Sequence, residues 1–142
     1  MVIMPLSDPS TAQAALVEAA HSVLRAHGDG DVHTVAAAVL DEKGRIHVGL
    51  NLYHFTGGPC AELVALGAAR AAGATAITHI VAVGNHGRGP IGPCGRDRQV
   101  LLDYHPGVRV ILPTPAGLRS VSIEDLVPLA TVWSIEGGSQ TR

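Results

Sequence analysis

The sequence predicts an α/β domain in which helices pack on a sheet, and three observations point that way. Hydrophobic residues make up 46% of the 142 residues, yet only four residues are aromatic, so the core must be built from Ala, Val, Leu and Ile rather than large rings. Short β-rich runs alternate with Ala- and Leu-rich segments of helical spacing. The length suits a single domain over residues 1–142, enough to bury about two thirds of the surface of the unfolded chain.

Taken in order, Ser7, Asp8, Ser10 and Thr11 offer capping side chains before Leu16, Val17, Ala20, Val23 and Leu24, which recur at helical spacing up to Gly28. Val32 to Leu40 reads as a strand, Asp41 to Gly44 as a turn and Arg45 to Leu52 as a second strand, forming a hairpin. His54 to Pro59 reads as a loop. Cys60 to Ala72 reads as a helix that begins at its cysteine and stops at Gly73. Ile80 to Val83 is a short apolar run expected of a buried strand, and a Gly-rich loop from His86 to Gly92 follows. A second helix opening at a cysteine spans Cys94 to Tyr104, before Pro106-Gly107. Val108 to Leu112 and Leu118 to Val121 are further strands around a turn at Pro113 to Gly117. Ser122 to Leu126 begins a terminal helix with Glu124 and Asp125 in its first turn, and residues 137–142 read as a frayed tail.

Composition narrows the functions. The net charge is −2 and the arginines form no basic stripe, which argues for a small-molecule substrate over a nucleic acid. Met1 to Leu6 lack the charged start and apolar run of a signal peptide, and no stretch approaches the roughly 18 apolar residues of a membrane span. The expectation is a cytoplasmic protein without a membrane partner.

Both cysteines fall in motifs. Cys60-Ala61-Glu62 and Pro93-Cys94-Gly95-Arg96-Asp97 reproduce the zinc-deaminase pattern, a first ligand two residues before a catalytic Glu and then a Pro-Cys-x-x-ligand stretch, with Asp97 where a Cys is usual. Their placement reads as reduced metal ligands rather than a disulfide. Two helices opening at cysteines aim positive dipole ends at one spot, which favours thiolates and lowers cysteine pKa. Cys94 and Asp97, three apart, share a helix face and can grip one ion, with Cys60 closing the triangle. Three protein ligands leave the fourth position of a Zn2+ site for water, the catalytic arrangement. Glu62, not a ligand, moves the proton. A carboxylate carries the charge of the thiolate it replaces. The competing reading of Asp97 is an acid balancing the flanking Arg96 and Arg98, and ligation is the reading taken.

From Asn51 to His105 the chain resembles the blasticidin-S deaminases of the cytidine deaminase family. The resemblance rests on Asn51 to Val64 (Asn-Leu-Tyr-His-Phe-Thr-Gly-Gly-Pro-Cys-Ala-Glu-Leu-Val), on Gly84-Asn85 and Arg88-Gly89, and on Pro93 to Arg96 with Arg98 to Asp103. It implies a three-layer α/β/α sandwich with a five-stranded mixed sheet, assembled as a homotetramer whose active sites borrow residues from neighbours. It also implies zinc ligation by Cys60 and Cys94, a proton-shuttling Glu62, and Arg96 supporting a ligand. Asn51 resembles a sugar-contacting Asn, and Arg88 an Arg near the pocket mouth. Thr34 stands for a Ser near the substrate, Tyr53 for an acidic ribose contact of ordinary cytidine deaminases, and Thr131 for a pocket Tyr. Trp133 is a pocket wall or a core anchor. The activity implied is hydrolytic removal of the exocyclic amine of a cytosine-like nucleoside or analogue. Two alternatives stand beside it: a zinc-free nucleoside-binding member, and a deaminase of another heterocycle such as a purine or triazine. His54 and His105 read as capping or packing residues, and His33, His47, His79 and His86 as exposed or hydrogen-bonded structural residues.

Overall fold

The structure is a computed structural model that describes residues 9–136 and 138–141. Its elements run α1 (Pro9–His27), β1 (Val35–Asp41), β2 (Ile46–Leu50), α2 (Ala61–Ala71), β3 (Ile77–Gly84), β4 (Gly89–Ile91), α3 (Gly95–Tyr104), β5 (Arg109–Thr114), β6 (Gly117–Ser122), α4 (Ile123–Leu126), β7 (Thr131–Ser134) and β8 (Gly138–Thr141). Five strands form a mixed sheet in the order β2-β1-β3-β5-β6, in which β3 and β5 are parallel and the other neighbours antiparallel. The short β4 pairs with the end of β3, Ala82 to Gly84.

Residue parity sorts the core into two layers, because successive side chains of a strand point to opposite faces. Ala36, Ala38 and Leu40 of β1 join Val81 and Val83 of β3 against Leu16 and Ala20 of α1. Ala37 and Val39 join Ile80 and Ala82 against Ala61, Ala65 and Ala69 of α2 and Leu101 and Leu102 of α3. Strands covered on both faces are largely apolar, which is why Val35 to Leu40 of β1 and Ile80 to Val83 of β3 read as continuous apolar runs. Small residues bring the layers close. At Gly49 of β2 an added Cβ would lie 2.5 Å from the Ala65 amide nitrogen and 2.9 Å from Val64, so α2 rests on the strand backbone itself. Gly73, at φ +95°, ends α2 in a conformation that side chains other than glycine's resist.

The hairpin of β1 and β2 is fastened by a buried carboxylate. Asp41 Oδ1 accepts the backbone N–H of Lys43 (2.8 Å) and Arg45 (2.9 Å), while Oδ2 accepts Arg45 Nε at 2.7 Å and lies 2.8 Å from His47 Nε2. Burial alone would raise its pKa. The His47 contact and the N–H donors outweigh it and hold the carboxyl far below the usual range. A group depressed in the fold stabilises fully above its unfolded pKa of about 3.9, and that stability drains away as pH falls below it. Asp41→Ala is expected to cost about 3 kcal/mol by removing the buried acceptor that joins the Lys43 and Arg45 N–H groups, the Arg45 guanidinium and His47. Thermal unfolding against pH checks this: the gap between variant and wild type should be full at pH 7 and shrink below about pH 4.

Some elements differ from the sequence reading. The first strand begins at Val35 rather than Val32, because Asp29 Oδ1 gathers the N–H groups of Asp31, Val32 and His33 into a turn. The Gly-rich stretch is not all loop but contains β4. The expected terminal helix is one turn, α4, and the hairpin of β7 and β8 follows it. Residues 138–141 of the expected frayed tail are β8; the caps Ser7 and Asp8 lie outside the described residues. Among the described residues no helix is long and apolar enough to cross a membrane.

Candidate metal centre

The two cysteine motifs meet where α2 and α3 begin. Cys60 and Cys94 are the N-caps of these helices, in extended conformation, and neither side chain caps its own helix, so both sulfurs are free for another partner. Their Sγ atoms lie 3.7 Å apart. Two thiolates bound at ~2.3 Å to one tetrahedral zinc stand about 3.8 Å apart, so this separation is the edge of such a site. Asp97, in the first turn of α3, completes a group whose ligand atoms all lie within 4.8 Å of one another.

Asp97 decides between the two readings of its role. It is 1% exposed, and its Oδ1 is buried without a hydrogen-bond partner among the described residues. Neither neighbouring arginine turns to it: Arg96 donates from Nη2 to Cys60 Sγ (3.4 Å) and to Gly58 O (3.2 Å), and Arg98 donates from Nε to Pro93 O (2.8 Å). A buried carboxylate oxygen with no donor, beside two sulfurs and the Glu62 carboxyl, is costly unless a cation sits among them. The donor set therefore fits a divalent ion that accepts sulfur and oxygen together.

The electrostatics of the pocket agree. Burial pushes the Cys60 thiol up to about 11, and Asp97 and Cys94 add to this against the opposing hydrogen bond from Arg96. The sequence expectation of a lowered cysteine pKa thus fails for Cys60 in the protein alone, since burial and neighbouring acids outweigh the helix dipole. Glu62, 5% exposed, is pushed up to about 8, first by burial and then by the charge of Asp97. Acidic groups gathered this closely, Cys60, Glu62, Cys94 and Asp97, favour a positive ion among them.

Above them opens a cleft of about 320 Å³. Cys60, Glu62, Cys94 and Asp97 lie on it, and its walls come from residues 51–54, Gly57 to Pro59, Ile91 and Gly92. Of the expected substrate contacts, Asn51 and Tyr53 line this cleft. Asn51 is largely engaged, because its Oδ1 accepts the N–H groups of Thr34 (2.7 Å) and Val35 (2.9 Å) and its Nδ2 donates to Thr34 Oγ1. Thr34, Arg88 and Trp133 are not among the residues lining it. Arg88 bonds instead to Thr34 O and Asn85 Oδ1, and the Trp133 N–H bonds to Asp103 on α3. Sequence reasoning missed His54 and Ile91 as wall residues. His54, whose Nδ1 meets the Thr56 hydroxyl, had a loop position but no ligand spacing, and Ile91 lies in a strand that the glycines hid.

No protein-family profile matches the chain. It is similar to blasticidin-S deaminase of Bacillus cereus, at 30% identity over 127 residues that cover 80% of this chain and 88% of that protein. It is 34% identical over 96 residues to cytidine deaminase of Mycobacterium tuberculosis, covering 66% of this chain and 69% of that one. Among solved structures, cytidine deaminase from Burkholderia pseudomallei superposes with a TM-score of 0.68 at 33% identity, covering 82% of this chain and 97% of that chain.

Proposed function

The chain belongs to the cytidine deaminase family, and on that ground we propose that it hydrolyses the exocyclic amine of a cytosine-like nucleoside or nucleoside analogue to a carbonyl, releasing ammonia. Cys60, Cys94 and Asp97 would hold zinc, which supplies the Lewis acidity that makes water nucleophilic at neutral pH. Glu62 would take one proton from the attacking water and give it to the ring nitrogen, then take the second from the new hydroxyl as the carbonyl forms and give it to the departing amine, which leaves as ammonia. A carboxyl pushed up to about 8 in the protein alone is near the range for giving and taking protons at neutral pH, and a cation beside Asp97 lowers it further toward that task. Arg96, donating to Cys60 Sγ, offsets the negative charge of the ligand set. The walls of the cleft exclude bulk water and hold the ring against this floor.

The observation that carries the proposal is the buried Asp97 oxygen without a partner beside two sulfurs 3.7 Å apart. Asn51 and Tyr53 serve as substrate contacts on the wall, with Thr34 and Arg88 acting through the Asn51 and Asn85 contacts, while Trp133 is left for the site of a neighbouring subunit. A cytoplasmic homotetramer is the assembly proposed, and the exposed Leu52, Tyr53 and Phe55 (88% exposed) beside the cleft are side chains for a neighbour to cover. Metal analysis of purified protein, with an ammonia assay over cytidine, deoxycytidine, blasticidin S and amino-substituted purines and triazines, tests the reading. About one zinc per chain and turnover of a cytosine compound are expected. Zinc without cytosine turnover but with a purine or triazine moves the substrate class; a metal-free, inactive protein under zinc-replete conditions leaves a nucleoside-binding member.

A further inference from the structure

Arg98 stands next to a metal ligand, yet it touches none of the acids around it. Its Nε donates to Pro93 O at 2.8 Å, and its Nη1 reaches Leu126 O at 3.5 Å, at the end of α4. Pro93 is buried and immediately precedes Cys94, whose extended backbone (φ −71°, ψ 171°) aims the sulfur at Cys60. The residue before Pro93, Gly92, is cleft wall. One guanidinium therefore ties three things together: the turn that presents a ligand, the helix that presents Asp97, and the C-terminal stretch after β6. Metal geometry tolerates errors of only about half an ångström, so the group that fixes the peptide before a ligand helps set affinity. Pro93 has no N–H of its own with which the turn might be anchored.

Resting on the proposed zinc site, we infer that Arg98 is a positioning residue for that site, holding the Pro93 carbonyl so that Cys94 Sγ stays in register with Cys60 and Asp97. It acts through the backbone of the ligand turn and not by contact with metal or substrate. Gln99, its neighbour on α3, supplies the contrast: its Nε2 bonds to Thr131 O (2.9 Å) and Asp103 Oδ1 (3.1 Å), gripping the C-terminal segment without touching the ligand turn.

The test measures zinc affinity by chelator competition in the full chain for wild type, Arg98→Met, Arg98→Lys and Gln99→Ala, with thermal unfolding of each metal-free protein alongside. Arg98→Met keeps the stem and loses every donor; about tenfold weaker zinc binding is expected, the scale of losing a partner one step from the metal. Arg98→Lys, with one ammonium to share between two carbonyls, should weaken it roughly threefold, and Gln99→Ala less than about twofold. The cobalt-loaded Arg98→Met protein should also show an altered thiolate-to-metal absorption band, which a general loss of stability does not produce. The inference is overturned if the Arg98 variants that fold bind zinc as tightly as wild type, or if Gln99→Ala weakens binding equally. Wild-type protein that takes up no zinc at all is a different result, and it removes the proposed function itself.

Discussion

Glu62→Gln is expected to reduce ammonia release by roughly 10²- to 10⁴-fold while leaving about one zinc per chain, because general acid–base transfer is worth that much and Glu62 is not a ligand. Position makes the assignment. Glu62 sits two residues past Cys60 on the buried first turn of α2 and lines the cleft floor with the three donors. The amide keeps the shape and removes the titratable proton. A second signature accompanies it. In the metal-free protein, an acid pushed up to about 8 holds its proton in the fold while the unfolded chain releases it near pH 4.3. Stability contributed by that group is complete at low pH and declines as pH rises from about 4.3 to about 8. The metal-free Glu62→Gln protein carries no such slope, so denaturant titrations at pH 5 and pH 8 should show the wild type gaining on the variant at the acidic end. A variant that turns over at wild-type speed would remove Glu62 from the chemistry.

Asp97→Ala should abolish stoichiometric zinc, with affinity reduced on the order of a hundredfold or more, since even partners behind a ligand are worth 10- to 100-fold. Asp97→Cys should retain zinc and change rate or substrate range, because sulfur restores charge and ligation with a softer donor. Asp97→Asn separates ligation from structure. The amide has the shape of the carboxylate, keeps Oδ1 and can still bond to Glu62, so the metal-free Asp97→Asn protein should unfold close to wild type while its zinc content collapses. Unchanged metal content in all three variants would show that Asp97 is not a ligand.

The outline of the fold was legible because its signals are local. Cysteines preceded by proline and followed by Ala- or Arg-rich turns open both helices where expected, and the doubly covered strands β1 and β3 announce themselves through the apolar runs Val35 to Leu40 and Ile80 to Val83. The ligand triangle followed from two such helix starts. What sequence could not decide depends on tertiary placement. Whether Arg96 and Arg98 face Asp97 or turn away is set by Gly58, Cys60 and Pro93, which the fold brings to them. β4 is hidden because three residues, the first of them a glycine, carry no pattern, and its partner is β3. The Asn51 side chain looked free to meet a sugar, but the start of β1 claims most of its hydrogen-bonding capacity. Cys60 shows the same limit in electrostatics, where a helix end is local but burial is not.

The bare main chain at Gly49, pressed against the backbone of α2 at Ala65, governs how deep that helix can sit. Side chains yield by changing rotamer, whereas two backbones in van der Waals contact form a hard stop. Since Cys60 and Glu62 both ride on the opening turn of α2, their height above the sheet is gauged against a strand that never enters the reaction. A side chain at this position would push the start of α2, and Cys60 and Glu62 with it, away from the sheet.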